Sequence, residues 1–180
     1  MEIRRVVTGH DEQGRAVVAS DGVVSPVTVQ LTPGWAHHRV WGSDETASFP
    51  DDGGPPGASL YFPPVAGYRF LFFTVPPDAE TTLPEDIDVA AAIEEFQSTL
   101  PGLAEYLEPE HPGFHTTATV DVGVVVSGTA TLELDDGAKV TLGAGDTYIQ
   151  NGTRHRWSNQ GSVPAVVAVV LIGAHHERVT

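Results

Sequence analysis

Hydrophobic and polar residues alternate in short runs along most of this chain, the period-two signature of strands with one buried face. In the first half such runs fall at Arg4–Thr8, Ala16–Ser20, Val27–Leu31, His37–Trp41 and Tyr68–Val75. Asp11-Glu12-Gln13-Gly14, Asp21-Gly22 and Thr32-Pro33-Gly34 supply the expected turns between them. Ser43 to Pro64, rich in Gly, Pro, Asp and Ser, reads as a long surface loop. The period changes once. Within Ile87–Leu107, Val89, Ile93, Phe96 and Leu100 recur at helical spacing, which predicts an amphipathic helix packed on a sheet. From His115 onward strands are predicted at His115–Val126, Thr129–Leu134, Lys139–Leu142, Thr147–Gln150, His155–Ser158 and Ala165–Ile172. Gly- and Asp-rich turns such as Ser127-Gly128, Asp135-Asp136-Gly137 and Asn151-Gly152 separate them. Short strands in this density imply an all-β sandwich or barrel, not a βαβ protein.

Composition narrows the function classes. A length of 180 residues suits one domain, and 41% hydrophobic residues can furnish a core. Lys+Arg 9 against Asp+Glu 24 gives a net charge of -15, a surface that repels phosphate backbones and anionic lipids. Neither nucleic acid nor membrane is therefore an expected partner. The absence of cysteine excludes disulfides, thiolate metal sites and cysteine nucleophiles. No Gly-x-Ser-x-Gly elbow, phosphate loop or dinucleotide fingerprint occurs. The first residues lack the apolar stretch of a signal peptide, and the longest apolar run, Ala165 to Ala174, is too short to span a bilayer. A cytoplasmic location is expected.

One segment stands out chemically. With period two, His115, Thr117, Thr119 and Asp121 share one face of a strand, and such a row is costly to bury unless its members bond one another, water or a metal. Downstream, Gly145-Asp146 and Asn151-Gly152-Thr153-Arg154-His155-Arg156-Trp157-Ser158-Asn159 place a second histidine just past a tight turn. Asp146 reads as a turn residue, and Asn159 as a side chain bonded to backbone at its strand end.

Over roughly Pro112 to Ala174 these residues resemble the cupin superfamily. That family's first motif runs G-x5-H-x-H-x3-E-x6-G, and its second contains G-D followed by P-x-G-x2-H-x3-N. Gly145-Asp146, Gly152, His155 and Asn159 match the second, with Gln150 at the proline position. In the first, His115 and Gly128 match, Asp121 stands for the glutamate, and Thr117 replaces the second histidine. The resemblance implies a jelly-roll antiparallel barrel, with residues 1–110 adding extra strands, the long loop and one accessory helix, and residues 111–180 carrying the core motifs. It also implies a divalent metal (iron, manganese, nickel or zinc) held by His115, Asp121 and His155, no organic cofactor, and a homodimer. Thr117, Thr119, Gln150, Arg154, Trp157 and His37 would line the substrate pocket. Three functions stay open: a metal-dependent oxygenase, lyase or isomerase in specialised metabolism; a metal-free cyclase, dehydratase or epimerase using Asp121 and His155 as acid and base; or a non-catalytic binder of a small ligand.

Overall fold

The computed structural model describes residues 1–55 and 57–177; Pro56 in the long loop and residues 178–180 lie outside it. Among the described residues, ten strands and one α-helix follow in order: β1 (Ile3–His10), β2 (Ala16–Val24), β3 (Ala36–Ser43), β4 (Tyr68–Val75), α1 (Val89–Thr99), β5 (Thr119–Ser127), β6 (Thr129–Glu133), β7 (Lys139–Gly143), β8 (Thr147–Asn151), β9 (Arg156–Ser158) and β10 (Ala165–Gly173). All pairings between strands are antiparallel. A five-stranded sheet runs β3-β4-β10-β5-β8, a three-stranded sheet runs β7-β6-β9, and β1-β2 form a separate hairpin.

Alternation in the sequence decides which side of each strand faces the core. Arg69, Leu71, Phe73 and Val75 of β4 are buried, while Tyr68, Phe70, Phe72 and Thr74 between them are only partly so. Leu71, Val75, Val125, Val167 and Val169 meet Ala130 and Leu142 of the smaller sheet in one apolar cluster, joined by Phe96 and Leu100. Gly123 allows a close approach: a Cβ there would lie 2.3 Å from the Tyr148 ring, so its absence lets that ring lie over β5 inside the barrel. At Gly128, φ of +73° forms the tight link from β5 to β6.

Several expectations are corrected. Asp21 and Gly22 are not a turn but continue β2, where Asp21 opposes Val6 and pairs with Arg4. Val27–Leu31 forms no strand; only Val27 makes a bridge, to His37. The helix begins at Val89, capped by the Asp88 side chain accepting from the Ala91 N–H at 3.1 Å. Ala92, Phe96 and Leu100 are buried along one side of the helix, whereas Val89 in its first turn and Ile93 stay exposed. Nor is the long loop purely superficial. Its end turns inward to bury Tyr61 and Phe62, with the Tyr61 N–H donating to the Pro101 carbonyl at the end of the helix.

Candidate active site in the barrel interior

The polar row predicted on one strand face points inward. Strand β5 starts at Thr119, so His115 and Thr117 precede it as extended backbone; His115 makes bridges with Leu107 and His155. Thr117, Thr119 and Asp121 are all buried and bond in series: the two threonine hydroxyls lie 2.8 Å apart, and Thr119 Oγ1 donates to Asp121 Oδ1 at 2.5 Å. Among the described residues this is the only hydrogen bond to the Asp121 carboxyl. Burial raises the carboxyl to about 6, against the Thr119 hydrogen bond, which pulls it down.

His115 and His155 lie side by side with ring centres 4.1 Å apart, their backbones exchanging two hydrogen bonds of 3.0 Å. Each ring is held by Nδ1–H donating to a backbone carbonyl, His115 to Gly113 at 3.0 Å and His155 to Thr153 at 2.8 Å. Burial, then the neighbouring His115, lowers His155 to about 3; burial likewise lowers His115. Both imidazoles are thus neutral at physiological pH. Gln150, opposite Asp121 across the β5–β8 pair, lays its amide nitrogen against the His155 ring, 2.7 Å from Nε2. Gln150 Oε1 is buried with no hydrogen-bond partner.

An aromatic wall completes the interior. His37 faces inward on β3, stacks on Trp35 and has its Nδ1 2.8 Å from the Tyr61 hydroxyl. Burial, then the adjacent His38, lowers His37 to about 4. Trp157 packs against Phe73 and Tyr148, with ring centres 5.7 and 5.0 Å away.

The structure brings together Thr117, Thr119 and Asp121 as one hydrogen-bonded series and His115, His155 and Gln150 as another; His37 and Trp157 lie on the same inner face. It does not gather the expected metal ligands: among the described residues no three His, Asp or Glu side chains converge on a point where an ion would sit. Asp121 is tied to the threonines, and the Gln150 amide nitrogen crowds the His155 ring, in contact with both of its nitrogens. The residues as arranged do not fit a three-ligand centre. Arg154 also leaves the pocket. It bonds Glu108 through Nε and Nη2, both at 2.7 Å, and Asp135 through Nη1 at 2.9 Å, with its guanidinium 4.0 Å from the centre of the Phe114 ring. Arg154 therefore fastens the segment before β5 over the end of the barrel.

Tyr61 and Tyr148 escaped the sequence reading. Tyr148 occupies a regular inward strand position, whereas Tyr61 sits in a loop whose polar composition masked it; Tyr61-Phe62 beside Pro63-Pro64 was the available signal. Asp146 and Asn159 behave as read: Asp146 Oδ2 accepts from the Gly143 N–H at 2.8 Å, and Asn159 bonds backbone on three sides.

Comparison with known proteins adds context. Residues 104–171 match the family model of the cupin domain. The chain is 25% identical over 175 residues to a cupin-domain-containing oxidoreductase, fogC, of Aspergillus ruber, covering 93% of this chain and 71% of that one. It is 45% identical over 53 residues to oryzines biosynthesis cluster protein J of Aspergillus oryzae, covering 27% of this chain and only 30% of that protein's length. Among solved structures, a cupin 2 conserved barrel domain protein from Salinispora arenicola shares 16% identity at a TM-score of 0.42, covering 82% of both chains.

Proposed function

We propose that this chain, a cupin over residues 104–171, is an enzyme that moves protons on a small organic molecule held inside the barrel. The observation that carries this reading is the pairing of Asp121 with Gln150: a buried carboxyl with a single hydrogen bond beside a buried amide oxygen with none. A group near 6 is mostly ionised at neutral pH yet basic enough to take a proton from an activated carbon or hydroxyl. Thr119 holds Oδ1, which leaves Oδ2 to face the substrate. Gln150 Oε1 waits for a substrate O–H or N–H, since a buried acceptor left unpaired is costly. Neutral His155 and His115 orient the substrate by hydrogen bonding without adding charge, and the Asp121 carboxyl that takes the proton returns it to another position of the substrate. Trp157, Tyr148 and His37 present ring faces and edges that suit a planar, hydroxylated carbonyl compound. Relatives named for biosynthesis and oxidoreductase functions support an enzyme of specialised metabolism.

A second reading has one observation in its favour. Both histidines anchor Nδ1 on backbone carbonyls, as metal-ligating histidines do, so rotation of Gln150 would free two Nε2 atoms for a divalent ion. The test is deuterium uptake from D2O into enolisable, hydroxylated aromatic ketones, followed by NMR with and without a chelator. Exchange should survive chelation and rise as pH passes through about 6. Loss on chelation with recovery on adding a divalent metal would install the second reading. Saturable binding without exchange would make the protein a ligand carrier.

We also infer a homodimer. The outward face of the larger sheet is apolar: Val122 lies opposite Val170 and Ile149, and Phe70 lies opposite Val170 on β4. Val122, Ile149 and Ile172 are exposed there. Two copies of a chain with charge -15 repel one another except through such an uncharged face. Light scattering during gel filtration should give a dimer, and Val122→Glu a folded monomer; a monomeric wild type at about 100 µM would refute the dimer.

A further inference from the structure

Beside the edge strand β3, away from the Asp121 series, lies a cavity of about 160 Å³ whose walls include Arg39, Trp41, Ala58, Tyr61, Arg69 and Leu71. Two guanidinium groups in one cavity are unexpected in a chain with Lys+Arg 9 against Asp+Glu 24. They differ in how they are satisfied. Arg69, 3% exposed, is fully used: Nε donates to Leu60 O at 3.0 Å, Nη1 to Ser43 O and Tyr68 O at 2.9 Å each, and Nη2 to the Asp44 carboxylate and Phe62 O. Arg39 engages only Nη2, which donates to the backbone carbonyls of Leu60 at 3.0 Å and Ala58 at 3.5 Å. Among the described residues its Nε and Nη1 meet no acceptor. Asp44 acts on Arg39 only through space, being bonded to Arg69. Arg5 of β1 lies over the outer side of the same cluster, 5.6 Å from the Trp41 ring centre. Three arginines thus surround one indole, with one carboxylate among them.

We propose that this cavity is a binding site for a small monocarboxylate carried on a planar or short apolar group. Arg39 Nη1, whose N–H groups meet no acceptor among the described residues, donates to one carboxylate oxygen, and the guanidinium charge supplies the attraction. Trp41 and Leu71 then seat the apolar part. The volume matches a cavity that holds one benzene-sized ring, about 150 Å³, so a peptide or nucleotide does not fit. Tyr61 stands between this cavity and the barrel interior, its hydroxyl turned to His37, so the site is separate from Asp121 and independent of the proton-transfer reading.

Benzoate is the probe, titrated at low ionic strength with tryptophan fluorescence and calorimetry as readouts. Saturable quenching is expected, lost in Trp41→Phe and weakened at least tenfold in Arg39→Gln. Benzyl alcohol, the same ring without the charge, should bind at least tenfold more weakly. Because Arg39→Gln removes a support of the loop, Ala58→Leu serves as a second variant: its longer side chain fills the cavity, leaves both guanidinium groups in place, and should abolish binding at unchanged circular dichroism. The proposal fails if benzoate gives no saturable response, if Arg39→Gln or Ala58→Leu binds like wild type, or if quenching persists in Trp41→Phe. That last outcome would place the ligand near Trp35 or Trp157.

Discussion

Asp121→Asn is expected to lower turnover by about 10²- to 10⁴-fold while making the protein more stable at pH 7.5, two changes of opposite sign from one atom. The amide keeps the shape of the carboxyl and can still accept from Thr119, so the interior should not collapse. What it loses is the capacity to take and return a proton. The stability change follows from burial, which holds the carboxyl at about 6 in the folded protein against an ordinary 3.8. The folded state binds this proton more tightly than the unfolded chain does. Its contribution is fully present below about pH 4 and is lost as pH rises through about 6. Above that, the native protein bears a desolvated charge, and replacing it with a neutral amide returns on the order of 2 kcal/mol. Urea unfolding at pH 7.5 and at pH 4, run beside the exchange assay, checks both arms. A variant equally active would remove Asp121 from the chemistry; a variant less stable at pH 7.5 would show that the carboxylate is structurally required.

Asn159→Ala is expected to be the most damaging single truncation of a polar side chain, costing about 3–4 kcal/mol. The side chain is fully buried and acts at both of its ends. Nδ2 donates to Val75 O at 3.1 Å and Val163 O at 2.9 Å, and Oδ1 accepts from the Gly161 N–H at 2.9 Å. The Asn159 backbone adds a reciprocal pair with Asp78, its N–H donating to Oδ1 and its carbonyl accepting from the Asp78 N–H, both at 2.8 Å. Alanine leaves the buried Val75 carbonyl, and the part-buried Val163 carbonyl and Gly161 N–H, without the partner that Asn159 supplies. With a urea slope of about 2 kcal/mol/M, the midpoint should fall by about 1.5–2 M. Asn151→Ala, at an exposed strand end, serves as the comparison and should move it by less than about 0.3 M. A similarly small shift for Asn159→Ala would mean that the three backbone groups find other partners.

The strands of the second half were legible in the sequence because short β-rich runs, alternating at Thr117–Val122 and continuously apolar at Ala165–Ile172, lie between Gly- and Asp-rich turns. The inward direction of His115, Thr117, Thr119 and Asp121 followed from the same period. What the sequence hid was conditional on distant partners. Asp21-Gly22 has turn composition, yet pairing with Val6 and Arg5 of β1 holds it extended. Val89 and Ile93 fit the helix stripe, but the side that meets the body runs through Ala92, Phe96 and Leu100, which periodicity alone does not choose. Arg154 stands one residue from His155, and only the folded position of Glu108, 46 residues away, turns it from the interior to the rim. The metal set fails for a related reason: spacing along the chain fixed which residues face inward, but not that Thr119 and Gln150 would claim Asp121 and His155.

The order of strands in the larger sheet bears on how the chain acquires its structure. Strand β10, the last in sequence, lies in the middle, bonded on one side to β4 and on the other to β5. During synthesis β3-β4 and β5-β8 can each pair, but they remain two small pieces until Ala165–Gly173 leaves the ribosome and joins them. Sheet closure therefore waits for this strand and is of high contact order, with the core residues Leu71, Phe73, Val75 and Val125 uncovered during the wait. A chain stopped before Ala165 has no route to the closed barrel, and in the cell it would be a client of chaperones.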